Sequence, residues 1–170
     1  MNIIKTIGVV GAGQMGNGIA HVSALAGYDV MLADANASAI DKAMQTIEYN
    51  LGRQVHREAI TEAQAKTALG RIKKTPSMKD VAGADLVIES ATEREDVKRA
   101  IFAELQAHLR ADSLLASNTS SISITRLAAG TDRPDKFIGI HFMNPVPVMK
   151  LVELIRGLAT SQETYERALQ

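Results

Sequence analysis

Near its end the chain carries GIHFMNPVPVMKLVELI, which sets His141 and Glu153 on two successive apolar segments. A neutral imidazole takes a proton from an alcohol near neutral pH. It needs a partner to orient its ring. Glu153 is the only acid in MKLVELI, and an acid among such neighbours needs a reason for burial. If its segment folds back beside His141, Glu153 fixes the tautomer and stabilises the imidazolium. The alternative is an exposed strand residue. Ser120 and Asn144 offer a hydroxyl and an amide to a substrate oxygen. Ser120 lies just ahead of a short helical stretch, so a capping role is its alternative. His21, His56 and His108 lie in helical stretches and read as structural or surface residues.

A second constellation opens the chain. Ile7 to Gly16 reads IGVVGAGQMG, an apolar β-type run followed by G-x-G-x-x-G. Gly11 allows a tight turn, Gly13 lets the backbone approach a pyrophosphate, and Gly16 lets the next helix pack on the strand. Gln14 and Met15 open that helix, from about Gln14 to Ala26, with its free N–H groups toward the phosphates. Tyr28 to Ala33 is a second apolar run ending in Asp34, where a carboxylate holds an adenosine ribose. A glycine-rich turn of some other α/β protein does not explain Asp34. Ala35 and Asn36 follow it, with no arginine for a 2′-phosphate, so NAD is expected over NADP. A nicotinamide cofactor plus a His–Glu pair means alcohol oxidation, with hydride leaving carbon as His141 removes the hydroxyl proton. No metal-ligand spacing appears.

These residues require an alternating scaffold. Ile40, Met44, Ile47 and Leu51 recur at helical spacing behind an Asn36 or Ser38 cap, and Thr61 begins another helix to about Leu69. Residues 36–69 thus form a long helical hairpin, polar on much of its surface and expected to project from the sheet. It is either a solvated insertion or the wall of a large substrate site. Ile72 to Thr75, Ala84 to Ser90, Ser113 to Ser117, Lys136 to Phe142 and Val148 to Ile155 read as strands. Glu93 to His108 reads as a helix with Val97, Ile101, Phe102 and Leu105 facing inward. The whole is an α/β chain, a Rossmann-like, doubly wound, mostly parallel sheet. Ligands in such sheets sit beyond the strands' carboxyl ends, where the chain places its glycine turn, Asp34, Glu89 to Glu93, Asn118 to Ser121 and His141 to Asn144.

Composition narrows the classes. The 170 residues have zero net charge and no cysteine. Lysine and arginine form no basic stripe, so nucleic acid and anionic membranes are not expected partners. Disulfide frames and thiolate metal sites are excluded. No run is long and apolar enough to span a bilayer, and no signal segment precedes the first strand. A cytoplasmic location is the expectation.

GAGQMGNGIA, Asp34, LVIESATE, SNTSSISIT and GIHFMNPVPVMKLVE resemble the NAD-binding domain of the L-3-hydroxyacyl-CoA dehydrogenases, including bacterial 3-hydroxybutyryl-CoA dehydrogenases. The resemblance covers essentially the whole chain. It implies oxidation of a 3-hydroxyacyl-CoA to the 3-ketoacyl-CoA with NAD. It implies His141 as catalytic base, Glu153 as its paired carboxylate, and Ser120 as the contact to the reacting oxygen. Asn144 resembles a nicotinamide contact, Glu93 and Lys98 cofactor contacts, and Asp34 the ribose acid. The hairpin resembles an acyl-CoA-binding arm, with Asn50 and Arg57 as substrate contacts. On this resemblance residues 1–159 are the NAD-binding domain. Residues 160–170, begun by a capping box at Thr160-Ser161-Gln162-Glu163, start a linking helix to an absent all-helical domain through which the family dimerises. The other readings are an NAD-binding module without turnover, and a β-hydroxyacid dehydrogenase acting on free acids.

Overall fold

The computed structural model describes residues 3–170. Strand β1 (Thr6–Val10) enters the glycine turn, which leads into helix α1 (Gln14–Leu25) and then β2 (Asp29–Ala33). Helices α2 (Ala37–His56) and α3 (Glu62–Gly70) precede β3 (Ile72–Thr75), and a short α4 (Met78–Val81) precedes β4 (Leu86–Glu89). Then come α5 (Glu95–Gln106), β5 (Leu114–Ser117), α6 (Ile124–Ala128), β6 (Phe137–Phe142), β7 (Val152–Arg156) and α7 (Gln162–Leu169). The strands form one sheet in the order β3-β2-β1-β4-β5-β6-β7. All neighbours are parallel except β7, which returns antiparallel on β6. The order reverses between β1 and β4, the point where such sheets open a ligand crevice.

Every residue of β4 and β5 is buried, because helices cover both faces of a parallel sheet. Alternation along the strands divides the core in two. Val9, Leu32, Ile88 and Ile138 pack with Ile19 and Ile47 under α1 and α2. Val10, Val87, Leu115 and Phe137 pack with Phe102, Leu105 and Leu127 under α5 and α6. There the Phe102 and Phe137 rings meet edge to face, centroids 4.9 Å apart, a favoured aromatic geometry.

Local chemistry sets the helix starts. Asn36 caps α2 by accepting from the Ser38 N–H at 3.0 Å. Thr61 and Gln64 form a reciprocal capping box on α3. At α7 the expected box does not form. Ser161 is the cap, accepting from the Thr164 N–H, while Thr160 is buried and bonds Phe137 and Gly157 instead.

Several expectations are corrected. The hairpin does not project along its length: Ile40, Ala43, Ile47 and Leu51 of α2 and Ala68 of α3 are buried in the α1-side core. Ala43 takes the fully buried place expected of Met44, which is only partly covered. The antiparallel strand begins at Val152 rather than Val148, because Pro145 to Met149 are held in a turn that receives the Val148 and Met149 N–H groups on the Pro145 carbonyl. Helix α5 ends at Gln106, before His108. Its inward face includes Lys98 alongside Phe102 and Leu105.

Candidate active site

The glycine turn is built by sterics. Gly11 has φ +100, and a Cβ there would lie 2.6–2.8 Å from the backbone of Ser90 and Ala91. A Cβ on Gly16 would sit 1.6 Å from the Gly11 carbonyl oxygen, so helix and turn close only on glycine. Gly13 differs, since a Cβ there meets nothing within 4 Å. The turn therefore leaves open space over its own backbone, where α1 begins with N–H groups lacking intrahelical partners. That space and the oriented N–H groups fit a dinucleotide pyrophosphate.

Asp34 closes the far side of the turn. One carboxylate oxygen accepts the Ala12 N–H and the other the Asn36 N–H, both at 2.8 Å. The acid is thereby fixed at the end of β2, where an adenosine ribose would lie.

Across the switch point a cleft of about 260 Å³ is lined by Gly13, Met15, Ser90, Glu93, Lys98 and Asn118, among others. Behind it lies an arrangement the sequence reading missed. Glu89, the last residue of β4, is 0% exposed and pairs with the Lys98 ammonium, itself 1% exposed, at 2.6 Å. The Ser117 hydroxyl and the Ala91 N–H also donate to Glu89, each at 2.8 Å. Lys98 lies 3.9 Å from Glu93 as well. Two sequence signals existed. Glu89 terminates an apolar strand as Asp34 nearly does, and Lys98 falls on the helical stripe of Phe102 and Leu105.

Glu93 organises the turn after β5. It accepts from the Thr119 hydroxyl, from the Ser120 N–H at 3.1 Å, and from the Ser121 N–H and hydroxyl. Burial by itself would raise its pKa. The Thr119 and Ser121 bonds, the Lys98 charge and the Ser120 N–H outweigh that and hold the carboxyl below its usual range. Ser120 is exposed and does not cap α6, because Ser123 does.

β6 and β7 bring His141 opposite Glu153 in register, and Nδ1 lies 2.8 Å from the Glu153 Oε2. A carboxylate accepts, so Nδ1 donates and Nε2 is left for chemistry. The expected shielding of Glu153 is absent: its side chain is 48% exposed, against 20% for His141. β7 is the sheet's edge strand, and four of its five residues, Glu153 among them, are exposed. The strand end is braced by Asn118, whose side-chain carbonyl accepts the Phe142 N–H at 2.8 Å. Asn144 accepts from the Gln14 side-chain amide at 3.2 Å, joining this loop to the glycine turn. Val146 packs over Gly18 of α1, where a Cβ would lie 2.7 Å away.

A second cleft, about 420 Å³, runs between the end of α2 and the 145–148 loop. Asn50 and Arg57 both line it, with Arg53 and Gln54, which the sequence reading did not single out. Gln54 also bonds His21 Nε2 at 2.9 Å. Burial lowers the His21 pKa, partly opposed by Gln54, and its buried Nδ1 has no partner. His21 is thus a neutral structural residue between α1 and α2. His56 and His108 are exposed. Among the described residues no group of three or more His, Asp or Glu side chains is arranged to hold a metal ion, and no helix is long and apolar enough to cross a membrane.

Comparison with known proteins adds a family to this geometry. Residues 6–170 match the family described as "3-hydroxyacyl-CoA dehydrogenase, NAD binding domain". A 3-hydroxybutyryl-CoA dehydrogenase of Bradyrhizobium diazoefficiens is 60% identical over 164 residues, covering 96% of this chain and 56% of the relative. A 3-hydroxyadipyl-CoA dehydrogenase of Escherichia coli is 44% identical, covering 96% of this chain and 34% of its own. The crystal structure of the (S)-3-hydroxybutyryl-CoA dehydrogenase from Ralstonia eutropha superposes with a TM-score of 0.94 at 49% identity, over 97% of this chain and 58% of that one. The chain therefore spans little more than half the length of the Bradyrhizobium and Ralstonia relatives.

Proposed function

This chain belongs to the NAD-binding domain family of the 3-hydroxyacyl-CoA dehydrogenases, and from that premise we propose that it oxidises the 3-hydroxyl of an acyl-CoA thioester. When bound, NAD supplies the hydride acceptor. His141 Nε2 takes the hydroxyl proton, and Glu153 holds the Nδ1–H and stabilises the imidazolium that forms. Ser120 donates to the reacting oxygen, and Asn144 orients the cofactor's reactive end. Gly11, Gly13, Gln14, Met15 and Gly16 receive the pyrophosphate, with Asp34 on the ribose and Glu93 and Lys98 on the far side. Asn50 and Arg57, in the cleft beside α2, take the CoA portion, and the arginines there suit its phosphates. The longer members of the family would dimerise through their second domain. The observation that carries the reading is the 2.8 Å His141–Glu153 pair at the same end of the sheet as the glycine turn.

Incubating the chain with NADH and acetoacetyl-CoA, and following NADH absorbance, tests this. Oxidation with the thioester and not with free acetoacetate is expected. Activity on the free acid would overturn the thioester assignment. The exposure of Glu153 favours a second reading, in which these 170 residues bind NAD without useful turnover by themselves. Saturable NAD binding with no turnover selects it. An Arg57→Ala chain separates the two roles of the hairpin, because loss of a CoA contact raises KM for the thioester and leaves NAD affinity alone.

A further inference from the structure

The cleft across the switch point has only two charged lining residues, Glu93 and Lys98. Glu89 stands directly behind Lys98. Two carboxylates share one ammonium, so the group carries one net negative charge. The net charge sits on Glu93, whose side chain is 46% exposed. Glu89 and Lys98 are fully enclosed, and Glu93 is locked by four hydrogen bonds to the 119–121 turn. A dinucleotide with its ribose at Asp34 and its pyrophosphate at the glycine turn must continue past β1 toward β4 and β5. Its remaining half meets this group. An oxidised nicotinamide ring carries a positive charge that the reduced ring lacks.

We propose that the Glu89–Lys98–Glu93 group sets the preference of this domain for oxidised over reduced cofactor, with Glu89 a positioning residue that holds Lys98 and offsets its charge. This rests on the reading of the glycine turn as an NAD site. A unit charge acting over several ångströms at an effective dielectric constant of about 20 changes such a preference by about tenfold or more. Loss of a contact to the ribose or the amide weakens both cofactor forms alike, whereas loss of charge moves their ratio.

Binding is therefore measured directly, by NADH fluorescence titration and by calorimetry with NAD+, without turnover. In Glu93→Gln the group becomes neutral, and the affinity ratio of NAD+ to NADH should fall about tenfold. Glu89→Gln should move the ratio in the same direction. The double variant Glu89→Gln/Lys98→Met keeps the single negative charge of Glu93 and should hold the ratio within about twofold of the unmutated chain. It also leaves no unpaired buried charge, so it serves if Glu89→Gln does not fold. Unchanged ratios in Glu93→Gln, with both forms still bound, overturn the charge inference alone. An unmutated chain that binds neither form overturns the NAD reading along with it.

Discussion

Replacing Lys98 by methionine should cost the fold heavily, although it puts an apolar side chain on a buried helix face. It leaves the Glu89 carboxyl at 0% exposure without its ammonium, with one hydroxyl and one N–H as its remaining partners. Breaking a buried pair from one side costs about 3–5 kcal/mol, because the surviving charge is neither solvated nor compensated. For a chain of 170 residues that corresponds to a fall in Tm of about 10 °C. The two halves of the pair are not equivalent. Lys98 has a second acid, Glu93, at 3.9 Å, whereas Lys98 is the one ion-pair partner of Glu89 among the described residues. Glu89→Gln should therefore cost less than Lys98→Met. The double variant removes both charges, and its glutamine can still bond Ser117 and Ala91, so it should recover most of the loss. Thermal and urea unfolding of all four proteins at neutral pH, without cofactor, give the cycle. A Lys98→Met chain within about 1 kcal/mol of the parent, or a double variant as damaged as the two singles summed, would refute the reasoning.

Three further outcomes follow from the same geometry. Asp34→Ala should weaken NAD binding and narrow its advantage over NADP, checked by titration with both. Equal affinity of the parent for the two would remove Asp34 from the ribose. His141→Gln and Glu153→Gln should each lower turnover of acetoacetyl-CoA, in a chain carrying the further region of its relatives, with NAD affinity nearly intact. Their double variant should lose less than the two losses combined, because the pair acts as a unit. Asp85 gives the pH dependence. Burial by itself would raise its pKa, but the Lys5 and Thr6 N–H groups, the Arg110 guanidinium and the Thr6 hydroxyl draw it down to about 2 from 3.8. A depressed acid stabilises the fold fully above its unfolded pKa, so about 2 kcal/mol should disappear as pH falls from 4 toward 2. Asp85→Asn should flatten that part of the acid-denaturation curve.

The residues near one another in the chain carried their own message. G-x-G-x-x-G after an apolar run, and an acid closing the next run, specify a turn and helix start because the sterics of Gly11 and Gly16 are local to one βαβ unit. The continuous apolar runs of β4 and β5 and the helical stripes between strands were enough for a doubly wound sheet. The pairing of His141 with Glu153 was also legible, since a lone acid on an apolar strand just beyond the histidine has few other uses. Its surroundings were not. How much water reaches Glu153 depends on what covers the edge of the sheet, and β7 is that edge. The hairpin's polar surface suggested projection, yet small residues such as Ala43 and Ala68 let it lie close on α1. Above all, the Glu89–Lys98–Glu93 group exists only because β4, α5 and the turn after β5 converge. A charge can be buried only where partners from separate elements arrive together, and no spacing within one element records that meeting.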